Sequence, residues 1–256
     1  MNLALAQFKT STNYKDNLKK ILKYTKQAKE QNADLIIFPE TSHIYATKNF
    51  KNIAQTIDDE FVQTIIKASN DYQIGIVFGF FEKENHNVKN SVIFADLGKI
   101  IYKYSKTHLY DAFGYDESKD IQAGDNIKSF DTRWGKMGIM VCYELRFPEI
   151  ARTLALDGAK IILTPTAWVN GKYKKQHYEI LTKARALENT VFLCVANQTQ
   201  NIYTGNSCII NPLGQKIAKL KEEEGMTLCH INFDMIEKTR EKLPCINQRR
   251  RELYKL

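Results

Sequence analysis

The sequence predicts an α/β layered sandwich whose strands run in both parallel and antiparallel relations. Three observations carry the prediction. Short continuous apolar runs, at residues 35–38 and 161–163, read as strands buried on both faces. They alternate with longer amphipathic runs of helical period. Three β-rich runs then follow one another at 75–81, 91–95 and 99–104, and the short turn between the last two marks a meander.

Taken in order, residues 3–8 form the first strand. Thr12 and Asn13 can cap a helix running to about Gln31, with Leu18, Ile21, Leu22, Thr25 and Ala28 on one face. The 35–38 strand stops at Pro39-Glu40. Phe61, Ile65, Ile66 and Ser69 mark a second helix entered from Asp58-Asp59. After the meander comes a polar loop of twenty residues, 107–126. Loops of that length within compact domains are functional or disordered, and Tyr110, Phe113 and Tyr115 argue against disorder. A strand at 136–141 ends in Cys142. Pro148 suits the first position of a helix to Asp157, closed by Gly158. A strand at 161–163 ends at Thr164-Pro165, a helix covers 177–188, and a strand covers 191–196. Strands at 207–210 and 226–232 flank the turn Asn211-Pro212-Leu213-Gly214, and Asp234 caps a last helix to about Lys242. No repeat or linker interrupts the chain. One domain over 1–256 is expected, with a basic tail from about 243 in which Leu253 and Tyr254 could anchor.

The length suffices for one large core. No apolar stretch reaches a membrane span, so no membrane partner is expected. Met1-Asn2-Leu3-Ala4-Leu5-Ala6-Gln7 lacks the basic region and cleavage site of a signal peptide, which points to the cytoplasm. The five cysteines include no Cys-x-x-Cys pair, and no His, Asp or Glu spacing suits a metal, so neither disulfides nor a metal or organic cofactor is expected. The net charge is +8, with lysine spread along the chain. Lys172-Tyr173-Lys174-Lys175 and Arg249-Arg250-Arg251 are local clusters, not the stripe with interleaved aromatics that nucleic acid requires. A solvated basic surface is favoured. A non-enzymatic basic binding protein is the rival of another class.

Three polar residues stand at strand ends, where α/β proteins place ligands: Glu40, Lys106 and Cys142. A carboxylate, an ammonium and a thiol make a nucleophilic set. A free thiol is mostly protonated at neutral pH, a buried carboxylate can take its proton, and a cation can hold a developing oxyanion. Singly, each residue has a plainer reading: packing for the cysteine, solvation for the glutamate, surface charge for the lysine. A Cys142–His177 hydrolase is a second enzymatic arrangement that sequence distance does not forbid.

Together with its flanks the set resembles the nitrilase (carbon–nitrogen hydrolase) superfamily. The motifs are Phe38-Pro39-Glu40, Lys106-Thr107-His108-Leu109 and Cys142-Tyr143-Glu144-Leu145-Arg146-Phe147-Pro148-Glu149. Glu117-Ser118, Ala184-Arg185-Ala186-Leu187-Glu188-Asn189, Asn211-Pro212-Leu213-Gly214 and Arg250-Arg251-Glu252-Leu253-Tyr254 add to it. The resemblance covers essentially the whole chain and is greatest to the small ω-amidase and deaminated-glutathione-amidase branch. It implies a four-layer α-β-β-α sandwich of two mixed sheets between helices. It also implies an amidohydrolase that cleaves a small linear carboxamide through a thioester, giving a carboxylate and ammonia. Glu40 would be the base and Cys142 the nucleophile. Lys106 and the Tyr143 backbone N–H would hold the oxyanion, with Glu117 in support. Trp168 would line the substrate pocket. Lys172, Lys174 and Lys175 are candidates for binding a substrate carboxylate. N-carbamoyl amides and nitriles are alternatives for the same triad. A homodimer, with the tail reaching the partner subunit, is implied as well. Two departures stand out: Glu144 where the family often has aspartate, and Asn206 where it often has histidine. Neither touches the triad. Arg185 and Glu188 read as a scaffold pair at i, i+3, and His108 as a support of its loop.

Overall fold

The computed structural model describes residues 1–254. Its framework is two six-stranded mixed sheets. The first has the order Gly225–His230, Asn2–Gln7, Leu35–Ile37, Gly75–Glu84, Asn87–Asp96 and Lys99–Ser105. Asn2–Gln7, Leu35–Ile37 and Gly75–Glu84 are parallel, and their outer neighbours are antiparallel, including the expected meander. The second sheet has the order Lys216–Lys219, Cys208–Ile210, Phe192–Asn197, Ile161–Thr166, Gly135–Ile139 and Phe130–Thr132, again with three parallel strands inside.

Strand alternation explains the layering. Leu3, Leu5, Leu35, Ile37 and Val77 share one buried cluster with Met137, Ile139, Ile161 and Leu163 of the second sheet. Their neighbours Ala4, Ala6, Ile36, Phe38, Ile76 and Phe78 pack instead on Leu18, Ile21, Phe61, Val62 and Ile65 of helices Tyr14–Glu30 and Glu60–Asp71. A strand buried on both faces needs apolar side chains at every position, which is why these runs do not alternate. Helices Pro148–Leu156 and Lys174–Asn189 cover the second sheet. The order helix, sheet, sheet, helix is the expected one.

The element ends follow local chemistry. Asn13 accepts the Lys15 N–H at 3.0 Å as the N-cap of the first helix. Pro148 opens its helix, and Gly158, with φ +98°, lies just past the end. Four expectations are corrected. The strand at 161–163 does not stop at Thr164-Pro165 but runs to Thr166, with Pro165 opposite Ala196. Leu163 gives its carbonyl to Met140 N–H, and pairing on that side ends at Ile139. Pro165 points its missing N–H to the same side, where the neighbour has already turned away. Asp234 is the first residue of its helix, and Asn232 Oδ1 accepts its N–H at 3.0 Å, so Asn232 does the capping. The loop at 107–126 contains a small hairpin, Asp111–Ala112 with Tyr115–Asp116, and a 3₁₀ turn at Glu117–Lys119. Finally, the strands Phe130–Thr132 and Lys216–Lys219 were not expected. Both are edge strands, which are short and polar and carry little periodic signal.

Candidate active site

Glu40, Lys106 and Cys142 each follow a strand and converge on one cavity of about 610 Å³, which Glu117 also lines. The carrier of Glu40 is packed tightly. A Cβ at Gly79 would lie 2.7 Å from Thr41 N and 3.2 Å from Glu40 Cα, so only glycine lets the central strand pass beneath the Glu40–Thr41 backbone. Lys106 is fixed through its backbone, donating to Asn90 O and accepting from Gly124 N–H, both at 2.9 Å. Cys142 has φ +46°, the left-handed region that a cysteine rarely adopts. The chain turns sharply there into a 3₁₀ turn, Cys142–Arg146. Tyr143 stands at the start of that turn, where the first N–H groups have no acceptor within the helix.

The charged groups form a buried network. Lys106 Nζ donates to Glu40 Oε1 at 3.0 Å and to Glu117 Oε2 at 2.8 Å. Asn90 Nδ2 bridges the same carboxylates, at 2.7 Å to Glu40 Oε1 and 3.1 Å to Glu117 Oε1. Tyr110 N–H donates to Glu117 at 2.7 Å, and Gln198 Nε2 donates to the Glu40 carbonyl at 2.8 Å. Exposure of Lys106, Glu40, Glu117 and Cys142 is 2%, 4%, 7% and 9%, low enough that these charges act on one another with little screening by water.

Burial alone would lower the Lys106 pKa, but the charges of Glu117, Glu40 and Cys142 raise it well above the lysine range, so it is an ammonium. Burial alone would raise the Glu117 carboxyl. The Lys106 charge and hydrogen bond outweigh this and hold it below the usual value. Burial, then the Glu40 charge, pushes the Cys142 thiol well up, against smaller opposing effects of Lys106 and the Ala167 backbone. Cys142 is therefore held as a thiol.

A second, narrower compartment adjoins Cys142, lined by Tyr110, Tyr143, Arg146, Trp168 and Lys174. Trp168 is buried there, with Nε1 donating to Lys174 O at 2.9 Å. Lys174 Nζ donates to Tyr110 Oη at 2.9 Å and sits 3.4 Å from the Phe113 ring centroid. Arg146 lies 4.9 Å from the Trp168 centroid, and its buried Nε has no acceptor. Neither cation has a carboxylate partner among the described residues. Lys175 instead pairs with Glu222 outside the cavity, and Lys172 lines only the larger compartment. His177 meets Arg146 Nη2 at 3.4 Å and lines neither compartment, so Glu40 and not His177 faces the thiol. Arg185 pairs with Glu188 at 2.8 Å as expected, and His108 rests on the Phe147 ring.

Sequence reasoning missed Asn90, Gln198 and Arg146. An asparagine inside an apolar strand run was a usable signal. So was an arginine four positions after the cysteine in a tight turn.

The carbon–nitrogen hydrolase family model matches residues 2–241. The chain belongs to the carbon–nitrogen hydrolase family. It is a hydrolase of carbon–nitrogen bonds, an amidohydrolase of the nitrilase superfamily. It is 31% identical to the deaminated glutathione amidase of Escherichia coli O157:H7, over 98% of this chain and 97% of that protein. It is 30% identical to an omega-amidase of Xenopus laevis, over 98% and 96%. The carbon–nitrogen hydrolase of Helicobacter pylori G27 shares the fold at a TM-score of 0.93, with 22% identity and coverage of 99% and 97%. A Glu-to-Gln mutant of the amidase from Nesterenkonia sp. AN1, showing the result of Michael addition of acrylamide at its active site cysteine, has a TM-score of 0.79 and 26% identity, with coverage of 95% and 98%. Among the described residues, no helix of this carbon–nitrogen hydrolase is long and apolar enough to cross a membrane.

The segment that carries Glu40 also carries a buried histidine. His43 packs between Phe61 and Phe81, at 5.7 and 5.5 Å between centroids. Nδ1 accepts the Phe81 N–H at 3.4 Å, and Nε2 faces the Ile53 carbonyl at 3.4 Å and so carries the proton. Burial lowers its pKa from 6.5 to about 3. Its contribution to stability is thus complete above pH 6.5 and is lost as pH falls toward 3. At roughly 1.4 kcal/mol per unit, the protein is expected to lose about 2 kcal/mol from this group by pH 5. Urea midpoints at pH 7 and pH 5 measure the loss, and His43→Gln should flatten it. An unchanged slope in that variant would refute the assignment.

Proposed function

We propose that this amidohydrolase cleaves a linear carboxamide bearing a distal carboxylate, through a thioester on Cys142, to give ammonia and the corresponding acid. The observation that carries the reading is the buried Glu40–Lys106–Glu117 network beside a protonated Cys142, with two cations lacking carboxylate partners in the adjoining compartment. Glu40 takes the Sγ proton as sulfur bonds to the amide carbon. The carbonyl oxygen becomes an oxyanion held by Lys106 Nζ and the Tyr143 N–H. The carbon–nitrogen bond then breaks, and Glu40 returns its proton to nitrogen as ammonia leaves. Water, deprotonated by Glu40, attacks the thioester. The acid departs and Cys142 regains its proton. Glu117 and Asn90 keep Lys106 and Glu40 in place.

Trp168, Arg146 and Lys174 would receive the acyl tail. Burial, then the Arg146 charge, lowers the Lys174 pKa, as an anion in that compartment would reverse. The large cavity supports an acyl chain longer than acetyl. Lys174→Met is expected to raise KM for ω-amides of dicarboxylates about 10- to 100-fold, the value of a hydrogen bond to a charged group, and to leave neutral monoamides unchanged. Equal KM changes for both classes would refute the carboxylate subsite. Ammonia release from ω-amides, neutral monoamides, carbamoyl amino acids and nitriles, with acid-quench mass spectrometry of Cys142, tests the reaction. Acyl adduct and ω-amide turnover are expected. Turnover of nitriles alone, or turnover without an adduct, would overturn it.

The core shared by both sheets supports one catalytic domain over the whole chain. All five cysteines are free, which supports a reducing, cytoplasmic setting. Exposed Leu156, Ile180 and Leu187, on the helices outside the second sheet, support a homodimer that equilibrium sedimentation would reveal. The basic tail from Leu243 would lie at that interface. Its last two residues, 255 and 256, fall outside the described residues.

A further inference from the structure

Glu144 stands two residues past the nucleophile and is fully buried. Its carboxylate accepts from five donors. Val141 N–H, immediately before Cys142, gives 2.6 Å to Oε2. The other four bonds reach Oε1 from the segment around Lys106: Tyr104 Oη at 2.6 Å, Thr107 N–H at 2.8 Å, Thr107 Oγ1 at 2.7 Å and His108 N–H at 3.3 Å. One carboxylate therefore binds both flanks of Lys106 on the first sheet to the turn that holds Cys142 on the second. The donors come from two chain segments that share no strand pairing. Every donor points at the group, so the site is built for a residue that accepts on both oxygens.

The mechanics of the turn give this contact its purpose. Cys142 is held at φ +46°. A non-glycine residue in that region costs on the order of 1–3 kcal/mol and persists only when its surroundings over-determine it. Glu144 supplies part of that determination from both ends of the turn, since its own N–H also donates to the Val141 carbonyl at 3.0 Å. From these contacts we infer that Glu144 is a positioning residue, which locks the Lys106 segment to the Cys142 turn and so sets the distance between ammonium and thiolate. The inference rests on the thioester reading of the site. It assigns Glu144 no contact with substrate. An uncharged amide cannot replace it, because its NH₂ would face N–H and O–H donors on one side or the other.

Alkylation of Cys142 by iodoacetamide as a function of pH, with steady-state ammonia release, tests the inference in wild type, Glu144→Gln, Glu144→Asp and Cys142→Ala. In Glu144→Gln the lysine drifts from the thiolate. The alkylation midpoint is then expected to rise by about one unit or more, and kcat to fall about 100-fold with a smaller change in KM. Glu144→Asp keeps the charge and should restore part of both. A folded Glu144→Gln whose pH profile and kcat match wild type would overturn the inference. So would a loss that only tracks the folded fraction. If Glu144→Gln does not fold, Tyr104→Phe and Thr107→Val each remove one donor. Together they are expected to lower kcat about 10-fold and raise the midpoint, and wild-type values in the pair would overturn the inference. Failure of the thioester reading shows differently, as wild type that is not alkylated at Cys142 or Cys142→Ala that still turns over.

Discussion

Glu40→Gln is expected to lower amide turnover by about 10⁴-fold, the upper end for a general base, because in the proposed mechanism the same group moves the proton in both acylation and hydrolysis. The amide keeps the shape of the carboxylate, and its oxygen can still accept from Lys106 and Asn90, which now stand 3.0 and 2.7 Å from Oε1. What it loses is the capacity to take the thiol proton. The Glu40 charge is one of the factors holding that proton on sulfur, behind burial, so its removal eases ionisation while Lys106 remains. A soft alkylating reagent should therefore still label Cys142 in this variant while amides are not hydrolysed. Steady-state ammonia release and labelling by mass spectrometry check the two halves. Turnover within tenfold of wild type would assign the base elsewhere.

Lys106→Met should affect both rate and stability. It removes the proposed oxyanion donor, worth about 10²–10³ in rate. It also leaves Glu40 and Glu117 buried together with Asn90 as their one shared donor. Breaking a buried pair from one side costs about 3–5 kcal/mol. The Glu117 contribution to the pH dependence changes sign. In the native protein Lys106 holds the Glu117 carboxyl low in spite of burial, so this group stabilises the fold above the carboxylate range and loses that effect as pH falls. Without the ammonium, burial and the second carboxylate raise the folded pKa, and protonation then favours the folded state. The variant should thus lose less stability than wild type between pH 7 and pH 5, the His43 loss being common to both. Urea unfolding at both pH values checks this. A variant that weakens in acid as much as wild type does would show that Lys106 is not what holds the Glu117 carboxyl low.

The parts of this protein legible in its sequence are those with short-range causes. The doubly buried strands, the amphipathic helices, the Asn13 cap and the Pro148 helix start are each decided within a few residues. Glu40, Lys106 and Cys142 could be picked out because each stands at the end of a strand run. Two of the misreadings have long-range causes. Pro165 sits in a central strand because a neighbour from another part of the chain turns away beside it. Phe130–Thr132 and Lys216–Lys219 are strands only because a sheet edge was there to pair with.

The same division runs through the site. Sequence alone determined the layered α/β fold, the chemical types of the three strand-end groups and the family pattern around them. Tertiary structure decided which groups meet. It placed Asn90 between two carboxylates, chose Lys174 over Lys172 and Lys175 for the narrow compartment, and set Arg146 beside it. It also turned Glu144, a one-residue departure from the usual pattern, into a link between the Lys106 segment and the Cys142 turn. Local chemistry fixes what a side chain can do. The burial and directed hydrogen bonds that fix its partner and its protonation state exist only once distant segments pack together.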